Sequence, residues 1–309
     1  MTSLDDLAQK VNSMTGEEMF TLVRKVESIL RNERYLGKQG DLEIAQGLVR
    51  IPSSGDLIVV GDLHGDLDSL IGILSNSHAV EMADEGRGRI LFLGDYGDRG
   101  EKSPEAYFVV LSLKSLFPAS VILLRGNHEG PRDLQASPYD LPYQFRGRFH
   151  DLGRQISSEI EGLFETLHHA VILDEKYLFL HGGVPSLAQS LDEIAQANLT
   201  HPGTTHLEEI LWSDPVDGME GTAPSPRGAG RLFGEDVTGR VLNLTNVKTL
   251  IRGHEPCHDG FFVSHRGMIL TIFSRKGPPY NNRHAAYLRI DASHPPVSAD
   301  KLSRFMSLL

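Results

Sequence analysis

Cysteine is nearly missing from this chain: Cys257 is the only one in 309 residues. An internal disulfide is therefore excluded, and so is a metal site built from several thiolates. Basic charge is also short. Thirty Lys and Arg stand against 41 Asp and Glu, a formal net charge of −11, which argues against a general affinity for nucleic acid or anionic membrane. No apolar run approaches the length of about 18 residues needed for a membrane-spanning helix. The opening Met1-Thr2-Ser3-Leu4-Asp5-Asp6 has neither the basic start nor the apolar core of a signal peptide. A cytoplasmic location is expected, in keeping with the lone thiol. Solenoid repeats and low-complexity tracts are absent too.

What the chain does have is one format used five times. The apolar run 57–60 leads into Gly61-Asp62-Leu63-His64-Gly65-Asp66, and the run 90–93 into Gly94-Asp95-Tyr96-Gly97-Asp98-Arg99-Gly100. The run 121–124 leads into Arg125-Gly126-Asn127-His128-Glu129. Short apolar runs bounded this way read as buried parallel strands, whose carboxyl ends are where open α/β sheets hold ligands. Asp62 to Asp95 is 33 residues and Asp95 to Asn127 is 32, enough for a strand, a crossover helix and the next strand. Asp62, His64, Asp95 and Asn127 should then meet at one point. The runs ending at Leu180 and at Gly253 deliver His181 and His254 in the same way. Taken singly, each histidine is an ordinary packed or surface residue; five clusters of one design point to a metal site. Carboxylate, amide oxygen and imidazole suit Mn, Fe or Zn better than Ca or Mg.

Together with His181-Gly182-Gly183 and Arg252-Gly253-His254-Glu255, these motifs resemble, in order and spacing, the PPP family of serine/threonine phosphatases within the calcineurin-like metallophosphoesterases. The likeness runs from about residue 57 to 274, and includes Leu211-Trp212-Ser213-Asp214-Pro215 and Arg227-Gly228 followed by Phe233-Gly234. It implies an α/β fold: two packed mixed β-sheets, a sandwich, flanked by α-helices, with the site at the carboxyl ends of strands. It implies two divalent metal ions, manganese first, with iron or zinc as alternatives. Asp62, His64 and Asp95 would hold one ion, and Asp95, Asn127, His181 and His254 the other.

The implied reaction is hydrolysis of phosphoserine and phosphothreonine in proteins, by hydroxide from the metal pair attacking phosphorus directly. His128 would be the general acid, with Asp98 orienting it and raising its pKa. Arg99 and Arg227 would clamp the phosphate, with Asn127 beside them, and Asp214 would stand behind the site. Arg231 has no phosphate partner in that register, so it is expected to face solvent or Glu235. Partners would be phosphoprotein substrates, with neither nucleic acid nor membrane, and the sequence is silent on a regulatory subunit.

One segment departs from the family. After Phe273-Ser274 its Ala-Pro-Asn-Tyr loop is replaced by Arg275-Lys276-Gly277-Pro278-Pro279-Tyr280, which leaves open whether Tyr280 takes the place of the family's active-site tyrosine. This loop and the helices before residue 57 suggest a microbial branch. The rival reading is a hydrolase of dinucleoside polyphosphates or another small phosphoester, since those enzymes share the first three motifs. The Trp212 segment and the later Arg-Gly favour the protein phosphatase. A non-catalytic scaffold would be expected to have lost ligands or the acid, and all are present.

For the remainder, residues 1–50 are expected to be an N-terminal helical extension docked on a catalytic domain of residues 51–309. Leu4, Leu7 and Val11 mark a short helix, and Thr15 with Glu18 has capping-box spacing before a second. Residues 42–51 read as a connector. Ser103-Pro104-Glu105 should open a helix with Ser103 as its cap. Residues 131–169, with Arg132, Arg146, Arg148 and Arg154, should form helices beside the cleft, and 171–180 a hairpin delivering His181.

Overall fold

The computed structural model describes residues 4–309. The three apolar runs become the strands Asp56–Val60, Gly88–Phe92 and Val121–Leu123. They pair in parallel, with Ile58 opposite Ile90 and Leu91 opposite Ile122. Ala286–Asp291 joins the outer side of Asp56–Val60 antiparallel, and Met306–Leu308 pairs with it to complete a five-stranded mixed sheet. The end of the chain is therefore an edge strand, a placement the sequence left undecided.

The second sheet has eight strands, also mixed. The expected hairpin is present, with Ala170–Leu173 antiparallel to Tyr177–Phe179. Tyr177–Phe179 then lies parallel to Thr249–Arg252, so the strands preceding His181 and His254 are neighbours. Residues 42–51 are not a connector. They form the antiparallel strands Leu42–Ala45 and Leu48–Ile51, and the latter runs parallel to Ala170–Leu173 inside the eight-stranded sheet. The reason is alternation: Leu42 and Ile44 are buried while Glu43 and Ala45 are exposed, a period-two pattern that fits a half-buried strand.

The same alternation builds the layers. Leu57, Val59, Leu91, Leu93, Ile122 and Leu124 point into the space between the sheets, where they meet Val49, Val171, Phe179, Ile251 and Leu270. Ile58, Val60, Ile90, Phe92, Val121 and Leu123 point the other way, onto helices. Those helices are α1 (Leu4–Ser13), α2 (Gly16–Leu36), α3 (Leu67–Ser77), α4 (Ala79–Asp84), α5 (Ser103–Leu116), α6 (Leu141–Phe149) and α7 (Gly153–Phe164). Further helices, among them His206–Trp212 and Glu235–Leu244, cover the outer face of the eight-stranded sheet. The result is the expected sandwich of two mixed sheets between helical layers.

Helix α2 starts at the capping box expected for it: the Thr15 side chain accepts from Glu18 N, and the Glu18 side chain accepts from Thr15 N. Its buried face, Met19, Val23, Val26, Leu30 and Glu33, follows the three-and-four spacing of one helical stripe. Ser103 is inside α5 rather than capping it; the cap is Lys102. No described helix is long and apolar enough to cross a membrane.

Candidate active site

The strand ends bring the chemistry together from both sheets. Asp62, Asp95 and Asn127 follow the three parallel strands by two to four residues, and His181 and His254 follow two adjacent strands of the other sheet. The loops turn tightly. His64, Asp95, Asp98, Arg99 and His254 all have left-handed backbone, with φ of 43°, 54°, 68°, 68° and 74°. Each such non-glycine residue costs about 1–2 kcal/mol, and they gather at functional sites where the surroundings hold them. Gly94 has φ 103°, and a Cβ there would lie 2.4 Å from the Gly126 nitrogen, so the second and third loops touch only because that residue is glycine.

At the centre, Asp95 faces two ways. Its Oδ2 is 3.4 Å from His64 Nε2 and its Oδ1 is 3.5 Å from His181 Nε2. Asp62 Oδ2 lies 3.8 Å from His64 Nε2. Asn127 Oδ1 is 3.0 Å from His181 Nε2 and 2.9 Å from His254 Nδ1. The second ring nitrogens of His64 and His181 reach backbone carbonyls, Gly97 O at 3.2 Å and Leu93 O at 2.9 Å. Those nitrogens are thereby the N–H donors, which leaves each Nε2 lone pair facing the centre. Two groupings have ligand atoms close enough to share an ion: His64, Asp95 and His128, and Asp95, His181 and His254. Asp95 belongs to both.

Electrostatics match that geometry. Burial is the largest influence on every group here. It holds His64, His181 and His254 well below the ordinary histidine range, so that they are neutral. It pushes the Asp62 carboxyl up to about 7, and Asp95 well above its usual value, with the Asp62 charge adding to the latter. Asp62 Oδ2 is buried without a hydrogen-bond partner, while its Oδ1 accepts from His254 N at 2.9 Å. Crowded buried carboxylates beside neutral imidazole lone pairs form a donor set that a divalent cation satisfies.

His128 is the exception to an expectation. Its Nδ1 is hydrogen-bonded to Asp98 Oδ2, which was expected to raise its pKa. Burial, then the charge of Arg99, instead push it down to about 3. Depth and the charges of Arg99 and Arg227 outweigh the Asp140 carboxylate, which pulls the other way. Asp98 is itself held, its Oδ1 accepting from Asp140 N at 2.7 Å and its own N–H donating to Ser103 Oγ at 3.0 Å.

Arg99 and Arg227 line a cleft of about 360 Å³ with Trp212, Gly228, Leu134 and Ser137. Arg227 Nε donates to Asp214 Oδ2 at 2.5 Å, and buried Arg252 donates to Asp214 Oδ1 at 3.0 Å. Asp214 Oδ1 is also 3.8 Å from His254 Nε2, which puts it behind the site as expected. Arg231 differs from expectation: its Nε donates to Thr222 Oγ1 at 2.9 Å, and Glu235 pairs with Arg266. Its place in the strand Arg231–Phe233, paired with Thr222–Pro224, aims it across that small sheet. Tyr280 does reach the site. Its ring stacks on His64 with centroids 5.1 Å apart, and its hydroxyl meets Arg99 Nη1 at 3.0 Å.

Sequence reasoning gave no role to Glu129. Fully buried, it accepts from Asp95 N at 2.7 Å, Tyr96 N at 3.0 Å, Gly126 N at 3.1 Å and the Tyr107 hydroxyl at 2.7 Å. It fixes the loop of Asp95 to the loop of Asn127. The available signal was its position, an acidic residue directly after His128 in a loop with no other use for it.

Comparison with known proteins bears on the family and the fold. The family description of calcineurin-like phosphoesterases matches residues 56–258. A probable serine/threonine-protein phosphatase of Encephalitozoon cuniculi is 32% identical over 299 residues, covering 95% of this chain and 61% of that protein. A protein phosphatase 2A catalytic subunit of Dictyostelium discoideum is 34% identical over 229 residues, covering 73% of this chain and 69% of that one. A Saccharomyces cerevisiae protein serine/threonine phosphatase, described as similar to human phosphatase PP5, has a solved structure with a TM-score of 0.76. Its sequence is 22% identical, the match covering 99% of this chain and 95% of that chain, and the likeness bears on the fold. The chain thus spans less than two thirds of the first of these relatives. A domain match across all five strand-end clusters, with relatives of this identity, places the chain in the calcineurin-like phosphoesterase family, on its serine/threonine-protein phosphatase branch.

Proposed function

We propose that the protein is a metal-dependent phosphatase acting on phosphoserine and phosphothreonine in proteins. The observation that carries this reading is Asp95, which presents one oxygen to His64 and the other to His181. An anionic bridge of this kind limits the repulsion between two divalent ions. Asp62, His64 and Asp95 would hold one ion, and Asp95, Asn127, His181 and His254 the other. The orphaned Asp62 Oδ2 and the neutral imidazoles suit such ions. Manganese is the first choice for this oxygen and nitrogen set, with iron or zinc as alternatives. When bound, the pair supplies an activated water and draws charge from the phosphoryl oxygens.

The chain's own groups do the rest. Arg99 and Arg227, which line one cleft, bind phosphate oxygens, the bidentate role guanidinium geometry suits, with Asn127 as a further substrate contact. Tyr280 steadies Arg99 and Asp214 steadies Arg227. His128 carries the proton to the leaving seryl oxygen from Nε2, while Asp98 fixes Nδ1. A phosphate dianion between Arg99 and Arg227 offsets charges that depress His128 and favours the imidazolium while substrate is bound. The substrates are phosphoproteins rather than nucleic acid or membrane, and a cytoplasmic location accords with the lone thiol.

The reading is tested by parallel turnover of a phosphoserine protein and of diadenosine tetraphosphate by the Mn²⁺-loaded protein. Phosphoserine should be hydrolysed with the higher kcat/KM. A clear preference for the dinucleotide would replace this reading with that of a small-phosphoester hydrolase.

A further inference from the structure

Helix α2 ends in a buried charge cluster. Glu33 and Lys114 have side chains only 1% exposed, and they pair with each other. Lys114 Nζ also donates to Pro118 O and Val121 O, both at 2.9 Å. The other Glu33 oxygen is 3.3 Å from His168 Nε2, and His168 is equally buried. Buried charges of this kind are costly unless every partner is in place.

Each contact leads toward one strand. Val121 opens the strand Val121–Leu123. At its other end Arg125 N donates to His168 O at 2.6 Å, and His168 N donates to Leu123 O at 3.3 Å. Next to Glu33, Arg34 donates to Glu165 O at 3.0 Å and to Leu167 O at 2.5 Å. Glu165 in turn takes Arg125 through both carboxylate oxygens, at 2.6 and 3.2 Å, while Arg125 Nε donates to Glu129 O at 2.6 Å. Glu129 is the residue that holds Asp95 N. The last turn of α2 thus grips both ends of the strand whose continuation is Asn127 and His128.

We propose that Glu33 is a positioning residue for the Asn127–His128 loop, so that α2 is a working part of the catalytic unit and not only a docked extension. The proposal deepens the reading above and rests on it through Asn127. It acts through geometry: Lys114 sets the start of the strand, the 165–168 stretch sets its end, and Glu33 ties the two together. Supports bonded directly to a metal ligand typically change metal affinity or activity about 10–100-fold when removed; Glu33 stands a further step behind, so the low end of that range, about 10-fold, is expected.

The test uses the full chain with Mn²⁺ as the probe, at a temperature where circular dichroism shows each variant folded. Glu33→Gln should weaken Mn²⁺ binding measured by calorimetry, and lower kcat, each by about 10-fold with KM little changed. Met19→Ala removes a fully buried side chain on the same helix away from these contacts; it should lower Tm and leave Mn²⁺ affinity and kcat as they are. If Glu33→Gln behaves like Met19→Ala, the positioning role is wrong. Should Glu33→Gln fail to fold, the double variant Glu33→Gln with Lys114→Met removes the stranded ammonium. Its stability should recover while its Mn²⁺ affinity stays low, because the grip on Val121 is gone; wild-type affinity in the double variant overturns the proposal. Mn²⁺ affinity is read without turnover, so a failure of the phosphatase reading is seen separately.

Discussion

Asp95→Asn is expected to cut turnover and metal binding together. The change keeps size and shape, and the amide oxygen can still accept from His128 N, as the carboxylate does at 3.0 Å, so the fold should survive. What is lost is negative charge at the one point facing both His64 and His181. A support behind a ligand costs about 10–100-fold, and Asp95 stands in front of both halves of the site. The loss in kcat/KM should therefore exceed about 10²-fold, with bound metal falling below one ion per chain. Metal analysis by mass spectrometry and steady-state kinetics on the same sample read both quantities, and a melting curve checks the fold. Near-normal turnover with full metal content would remove the bridging role from Asp95.

His128→Asn should give a different signature, a loss that depends on the leaving group. A seryl alkoxide needs a proton as it departs, whereas a nitrophenolate does not. General acid catalysis contributes about 10²–10⁴-fold, so turnover of a phosphoserine peptide should fall by that factor and that of p-nitrophenyl phosphate far less. The geometry supports the assignment, because Asp98 occupies Nδ1 and is anchored by Asp140 and Ser103. That leaves Nε2 to serve the substrate. Equal losses on both substrates would take His128 out of the acid role.

These two residues also show what a sequence can reveal. The position of Asp95 was legible because it sits two residues past the end of an apolar run, as Asp62 does, with Asn127 three residues past the end of the next. The pKa of His128 was not legible. Adjacency in a motif suggested that Asp98 dominates it, but the outcome depends on burial and on Arg99, which only the fold sets around it. Residues 42–51 were missed because two four-residue strands carry too short an alternation to stand out from a loop, and their partner, Ala170–Leu173, lies over a hundred residues away. Ser103 looked like a cap, yet its hydroxyl is taken by Asp98 N and Gly100 O, so the helix begins one residue earlier than the local pattern says. Arg231 went to Thr222 because of a small sheet that three-residue strands do not announce.

Tyr280 lies between these cases. Its sequence neighbours, Pro278 and Pro279, gave no register, but Arg275 supplies one. That buried guanidinium donates to His64 O and to Pro278 O, and sits 5.8 Å from the Tyr280 ring centroid. A loop unlike the family's is thus folded back over the same histidine.

The site should hydrolyse phosphoserine only with two ions in place. The most direct measurement is a titration of chelated, dialysed protein with Mn²⁺, following bound ions per chain and phosphate release from a phosphoserine protein in one experiment. Turnover should be absent in the chelated protein and reach its plateau as the second ion binds. Full turnover by the chelated protein, or a plateau reached with one ion bound, would rule out a two-ion site.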